Sequence, residues 1–340
     1  ELEGLDNATL LSRTTAFGYH DGNFVTAVQR LTDHLPESIR RGAREKVFRI
    51  RAQHVILATG AHERPIPFGY NDRAGVMLAS AVSSYLVRYA TPLARNAIVF
   101  TNNVGAYHTP IDLHQAGIGV RAVVDCRPDT NGDLPTIVRS LGIEVITQST
   151  LVRSKGGKSV TGAYVQSLSD DSASLVGNSR LYECDLIAVS GGWNPAIHLL
   201  AQSGGKVKWN DAKVCFEPDI VVQKQVSVGA ANASFSLADC LQEGARAGDT
   251  AAKVLGFSPV AINAPINAPK VDLVKEQAIQ PMRRVPYNAD KPWDGPKQFV
   301  DFQNDVSVSD IYLAVREGFH SVEHVKRYTA LGFGTDQGKT

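Results

Sequence analysis

An α/β fold with two tandem sheets of the dinucleotide-binding type is the architecture this sequence predicts, on three observations. The run His54-Val-Ile-Leu-Ala-Thr-Gly60 is apolar, partly β-branched and stopped by glycine, which suits a short strand buried on both faces. Asp185-Leu-Ile-Ala-Val-Ser-Gly-Gly192 repeats that design about 130 residues later. Between the two, Asn96–Phe100, a helix at Pro110–Ala116 and Val120–Val124 read as a βαβ unit.

Taken in order, Thr14–Tyr19 and Asn23–Gln29 flank Asp21-Gly22, a turn pair favoured between antiparallel strands. The Arg/Lys-rich stretch Arg40–Arg51 leads into the first glycine-stopped strand. Ala58, Thr59 and Gly60 then fall at its carboxyl end, where open α/β sheets bind ligands and where a missing side chain lets a cofactor approach the backbone. The charged trio His62-Glu63-Arg64 follows at once, and such a trio is costly unless it meets solvent or a ligand. Hairpin then closing strand is the order of the second half of a dinucleotide-binding domain. An upstream part carrying the first strand and its glycine-rich loop is therefore expected outside this chain.

After a helix at Met77–Ala90, the strand Asn96–Phe100 should feed a GxGxxG turn if a second dinucleotide sat there. It feeds Thr101-Asn-Asn-Val-Gly-Ala-Tyr107 instead, with one glycine and with bulk where a pyrophosphate needs bare backbone. The expectation is a retained fold with a lost site. Asp125, near the place of a ribose-binding acid, then reads as a strand-end residue. Short strands follow at Gly142–Ile146 and through Leu151–Ser167, with Gly156-Gly157 as a turn.

The internal repetition outlines a glutathione-reductase-like pair of FAD/NAD(P)-binding domains. Its expected division is 1–90 for half of the first domain, 91–200 for the second, 201–257 for a return to the first, 258–298 for a proline-rich linker and 299–340 for a small helical module. The return segment runs through a strand to Gly229, then Ala230, Ala231, Phe235 and Leu237. Beyond these a helix carries Ala245, Gly248 and Ala252 for close packing. Flavoproteins of this architecture usually end that strand in Gly-Asp; Ala230 stands at the Asp position, against an ordinary catalytic flavin. The linker holds Pro259, Pro265, Pro269, Pro281, Pro286, Pro292 and Pro296. In the module, Ser307 and Asp310 form a capping signal for a helix through Arg316, and Val322–Ala330 is a second helix bearing Lys326 and Arg327. Those two, with Lys339, could meet a phosphate, or act as dipole partners at a helix end.

With 340 residues, 43% of them hydrophobic, the chain buries a sizeable core and holds more than one domain or subdomain. A net charge of +1 argues against a general nucleic-acid or anionic-membrane binder, and no apolar run approaches the roughly 20 residues of a membrane helix. Cys126, Cys184, Cys215 and Cys240 lie scattered, with no CxxC, so neither a zinc site, a disulfide framework nor a redox pair is expected. A reducing, cytoplasmic compartment fits that usage. No residue stands out as a general base or nucleophile.

Ala58-Thr-Gly-Ala-His-Glu-Arg-Pro65, Asn71-Asp-Arg-Ala-Gly-Val-Met-Leu-Ala-Ser-Ala81, Val99-Phe-Thr-Asn-Asn103, Gly229-Ala-Ala-Asn232, Phe299-Val-Asp-Phe-Gln-Asn-Asp305 and Glu323-His-Val-Lys-Arg-Tyr-Thr329 resemble the alpha subunit of heterotetrameric sarcosine oxidase. The likeness runs over the whole chain and covers the middle of that subunit, between an upstream glycine-loop segment and a downstream folate-binding domain. It implies oxidation of the sarcosine N-methyl group by oxygen, giving glycine, hydrogen peroxide and formaldehyde, or methylenetetrahydrofolate when tetrahydrofolate is present. It further implies a non-catalytic NAD in this subunit, FAD in the beta subunit, FMN at the alpha/beta interface, and gamma and delta partners. Ala230, Phe235 and Leu237 would line the NAD site together with Thr59 and Gly60. Related amine, proline and opine dehydrogenases and a hydrogen cyanide synthase subunit are alternatives with the same layout. They end in an iron-sulfur module with Cys-x-Cys and Cys-Gln-Gly-x-x-Cys, where this chain has Asp301, Gln303 and Asp336, none able to hold iron as a thiolate does. A purely structural subunit is the remaining alternative.

Overall fold

The computed structural model describes residues 4–257, 271, 277–287, 291 and 293–338. Pro259, Pro265, Pro269 and Pro292 of the proline-rich stretch, and Lys339, lie outside these residues. The chain forms two compact units. One draws on residues up to 61, on 195–211 and on the described part of 215–273; the other draws on 62–194, on 212–214 and on the described residues from 277 onward.

In the first unit the expected hairpin forms, Thr14–His20 against Phe24–Arg30, and Glu45–Arg51 adds a third antiparallel strand. Gly22 and Asn23 both take positive φ, the backbone that a tight turn between twisted strands requires. The glycine-stopped strand is Val55–Leu57, paired in parallel with Gln225–Ser227. Among the described residues Leu57 packs with Tyr19 and Leu200, and Ile56, on the other face, is 39% exposed. An 18-residue helix, Leu237–Val254, follows, capped by the Ser236 hydroxyl on the Asp239 N–H. The close packing expected at Gly248 does not occur: a Cβ there would meet nothing within 4 Å.

The second unit is built on a parallel sheet of five strands, in the order Val76–Leu78, Leu186–Ser190, Asn96–Thr101, Gly119–Asp125, Val145–Ile146. Alternation along each strand decides which core it feeds. Ala97, Val99, Val123, Leu186 and Ala188 pack with the helices Ala79–Tyr89, His108–Gln115 and Asp133–Ser140, whereas Ile98, Phe100, Val124, Ile187 and Val189 pack with the antiparallel sheet Ser149–Gly156, Val160–Leu168, Leu175–Tyr182. The expected helix at Met77–Ala90 starts later, at Ala79, because Val76–Leu78 is claimed by the sheet. The two compact units divide after Ala61.

The C-terminal module carries a strand pair, Phe299–Asp301 with Val306–Ser307, and helices Val308–Arg316 and Val322–Thr329. The capping box of Ser307 and Asp310 forms as the sequence predicts. Asp301 is fully buried; one carboxylate oxygen accepts the Gln303 and Asn304 N–H groups at 2.9 and 3.1 Å, and the other accepts Gly332 N–H at 2.7 Å. The Gln303 amide oxygen accepts the Thr335 N–H at 2.7 Å. The positions that lack thiolates therefore tie the tail to the strand pair by hydrogen bonds. Asp301→Ala is expected to loosen this tie by about 2 kcal/mol, seen as roughly 30-fold faster hydrogen exchange at Gly332 in mass spectrometry.

Candidate functional site

The carboxyl ends of the two parallel strands in the first unit bring together the residues singled out in the sequence. Val228 N–H donates to the Leu57 carbonyl at 3.0 Å, so Ala58–Gly60 and Gly229–Ala231 leave one sheet edge side by side. Ala58 and Thr59 are exposed, and Gly60 has φ +74° with nothing within 4 Å of where a Cβ would stand. The backbone there is open to a ligand on a side that a side chain would cover. Thr59 does not offer its hydroxyl outward: Oγ1 donates to the Ala196 carbonyl at 2.8 Å, and Ala196 N–H donates to the Gly60 carbonyl at 2.9 Å. Gly229, at φ +62°, starts a 3-10 turn through Asn232 in which Ala231 is buried. Phe235 is half-buried and Leu237, the first residue of the long helix, is 59% exposed.

Glu243 organises this turn and was not foreseen. From the second turn of the helix its carboxylate accepts the Gly229 N–H at 2.7 Å and the Ser234 hydroxyl. The sole trace in the sequence is an acid inside a stretch of small residues. The edge thus keeps a fixed backbone, small side chains and an open flank, which suits close approach by a nucleotide, with the Glu243 carboxylate engaged by the turn itself.

The equivalent edge of the second unit is closed by its own side chains. Asp125, fully buried at the end of its strand, receives the Arg127 guanidinium at 2.7 Å, the Arg127 N–H at 2.9 Å and the Tyr107 hydroxyl at 2.8 Å. Burial opposes the Arg127 charge, yet the hydrogen bond and charge of Asp125 hold its pKa above the ordinary arginine value. Burial, helped by the Asp125 charge, drives the Tyr107 hydroxyl far above the ordinary tyrosine range. Asn103 donates to the Ser190 hydroxyl at 3.0 Å. Both oxygens of the carboxylate at the ribose-acid position are thus engaged by the chain's own donors.

Two of the three charges after Gly60 are engaged by the chain itself. Arg64 donates through Nε and Nη2 to the Gly191 carbonyl at 3.1 and 2.9 Å, and through Nη1 to Asn194 and the Val214 carbonyl. Glu63 is 6% exposed and accepts the Ser80 N–H at 2.8 Å, at the start of helix Ala79–Tyr89. Burial raises the Glu63 carboxyl above the ordinary glutamate range, against hydrogen bonds from Ser80 and Ser190 that lower it. Lys326 lies 5.5 Å from the Phe333 ring centre, a stacking role, and Arg327 is exposed on the same short helix. Among the described residues no group of three or more His, Cys, Asp or Glu could hold a metal ion. None of their helices is long and apolar enough to cross a membrane.

Residues 295–340 match the family model described as the sarcosine oxidase A3 domain. A sarcosine oxidase subunit alpha from Corynebacterium sp. (strain P-1) is 40% identical over 344 residues, covering 100% of this chain and 35% of that one. Another from Rhizobium meliloti (strain 1021) is 38% identical, covering 100% of this chain and 32% of that one. Over its whole length the chain is similar to sarcosine oxidase alpha subunits. It spans about a third of the length of the curated relatives it matches. The crystal structure of L-proline dehydrogenase from P. horikoshii superposes with a TM-score of 0.67 at 19% identity, covering 98% of this chain and 58% of that one. That likeness shows a shared fold, the mixed α/β architecture of dinucleotide-binding oxidoreductases.

Two measurements check the second edge. Arg127→Ala leaves the Asp125 charge buried without its partner and should cost about 3–5 kcal/mol in urea unfolding, whereas Asp125→Leu combined with Arg127→Met should recover much of that loss. Glu63 has a folded-state pKa above its unfolded one, so its contribution to stability is complete below the unfolded pKa and is lost as pH rises through the folded one. The urea midpoint of the native protein should therefore fall, relative to that of Glu63→Gln, as pH is raised from the ordinary glutamate range towards neutrality.

Proposed function

We propose that this chain is part of the alpha subunit of a sarcosine oxidase complex, which converts sarcosine, oxygen and water to glycine, formaldehyde and hydrogen peroxide, with methylenetetrahydrofolate formed when tetrahydrofolate is available. The observation that carries this reading is whole-chain identity of 37–40% to three alpha subunits. Within the complex, the part assigned to this chain is to hold NAD at the first unit's sheet edge. Ala58, Gly60, Ala230 and Ala231 would let the nucleotide lie against the backbone, Phe235 and Leu237 would give it an apolar wall, and Glu243 would keep the Gly229–Ser234 turn in shape. NAD held there is assigned no hydride step, on the ground that Ala230 stands where flavoproteins of this type carry Asp. Substrate oxidation belongs to FAD in a beta subunit, and FMN at its interface with the alpha subunit passes electrons to oxygen; gamma and delta subunits complete the assembly.

The open space beyond Gly60 supports this assignment and defines its test. Nucleotide released by acid from the purified complex should be NAD at about one per alpha subunit. Gly60→Val adds bulk on the open flank and forces a branched residue to φ +74°, so retained NAD should fall at least about tenfold, roughly 1.4 kcal/mol in binding. A fully active complex that releases no nucleotide would instead make this chain a scaffold.

A further inference from the structure

The second unit's sheet has its topological switch point between Asn96–Thr101 and Leu186–Ser190, the place where open α/β sheets take up a nucleotide. That crevice holds polypeptide. The Gln277 amide oxygen accepts Arg127 Nη1 at 3.0 Å, over the ribose-acid position Asp125. Ile279 reaches Gly192, where a Cβ would stand 2.5 Å from Ile279 Cδ1. Gln280 pairs with Asn102 of the former glycine loop, its N–H on the Asn102 carbonyl at 3.2 Å and its carbonyl accepting Asn102 Nδ2 at 2.8 Å. The segment thus passes in turn the acid position, the glycines that end the closing strand, and the loop position, the three places a dinucleotide would touch.

It is also anchored. Met282 and Val285 are buried in the core between the parallel and antiparallel sheets, and Val285 exchanges hydrogen bonds with the Gln298 amide at 3.1 Å in both directions. Lifting the segment out would expose these side chains and leave buried polar groups without partners. We infer that Gln277–Val285 is a built-in occupant of the second crevice and shuts nicotinamide dinucleotides out of it, so that reduced NAD or NADP cannot dock in this domain as an electron donor. The inference is independent of the NAD site assigned to the first unit.

Hydrogen-exchange mass spectrometry on the intact complex, with NADH raised to millimolar concentration, tests it. Peptides covering 101–107, 125–127 and 277–287 should show no NADH-dependent protection, and the Gln280 and Val285 amides should exchange slowly with or without nucleotide. Replacing Gln277, Ile279 and Gln280 together by alanine should speed exchange across 277–281 at least tenfold while the strands 96–101 and 119–125 keep their protection. Saturable protection of 101–107 or 125–127 by NADH in the native complex, or exchange of Gln280 and Val285 at the rate of an unstructured peptide, would overturn it. Release of no NAD from the purified complex by acid would count against the first-unit NAD site alone and leave this result standing on residues 277–287.

Discussion

The buried pair of Asp125 and Arg127 is the interaction on which the second unit's carboxyl edge depends. A carboxylate at the end of a buried parallel strand loses its hydration, and at 0% exposure it must be given an equivalent set of donors. Arg127, two residues on, supplies a guanidinium and a backbone N–H, and Tyr107 supplies a hydroxyl from the loop that a nucleotide would otherwise need. Once those donors are committed, the geometry of the edge follows. Tyr107 fixes the start of helix His108–Gln115, and Arg127 keeps a guanidinium nitrogen free to hold Gln277. Bulk in the former glycine loop is therefore part of the electrostatic solution, and restoring glycines alone would not restore a site.

The first unit solves the same problem with less. Its strands end in Leu57 and Ser227, which bring no buried charge, and the polar groups beyond them are met by backbone and by one carboxylate, Glu243. Ala58, Gly60 and Ala230 contribute almost no side chain to this edge, whereas Arg127 crosses the other. The second unit's strand ends in an acid, Asp125, and the first unit's strands end in Leu57 and Ser227.

Much of this was readable because glycine and β-branched residues punctuate short strands strongly: Val55–Leu57, Leu186–Ser190 and Asn96–Thr101 all fall where the apolar runs stop. The boundary at Ala79 was not readable, since Val76-Met-Leu78 continues the apolar pattern of the helix that follows and only pairing with Leu186–Ser190 makes it a strand. Which neighbour covers Ile56 is likewise not legible, because an apolar strand residue looks the same whether or not a neighbour covers it. The candidate site divides along similar lines. Ala58–Gly60 and Gly229–Ala231 share an edge as expected, while the tie between Arg127 and Gln277 joins positions 150 apart and leaves no local pattern.

The largest unreadable component has a common physical form. Glu63 on Ser80, Asp125 on Arg127, Glu243 on Gly229 and Asp301 on Gln303, Asn304 and Gly332 are all carboxylates that gather backbone N–H groups where the chain leaves regular structure. An N–H donor is present at every residue except proline, so its partner has no side-chain signature from which it could be inferred. The consequence is clearest in the C-terminal module. Thiolates would tie its loops together through a metal, whereas Asp301 and Gln303 tie the strand pair to the tail directly through the amides of Gly332 and Thr335. Asp301 and Gln303 thus gather the loops of this module through backbone amides, with no thiolate at either position.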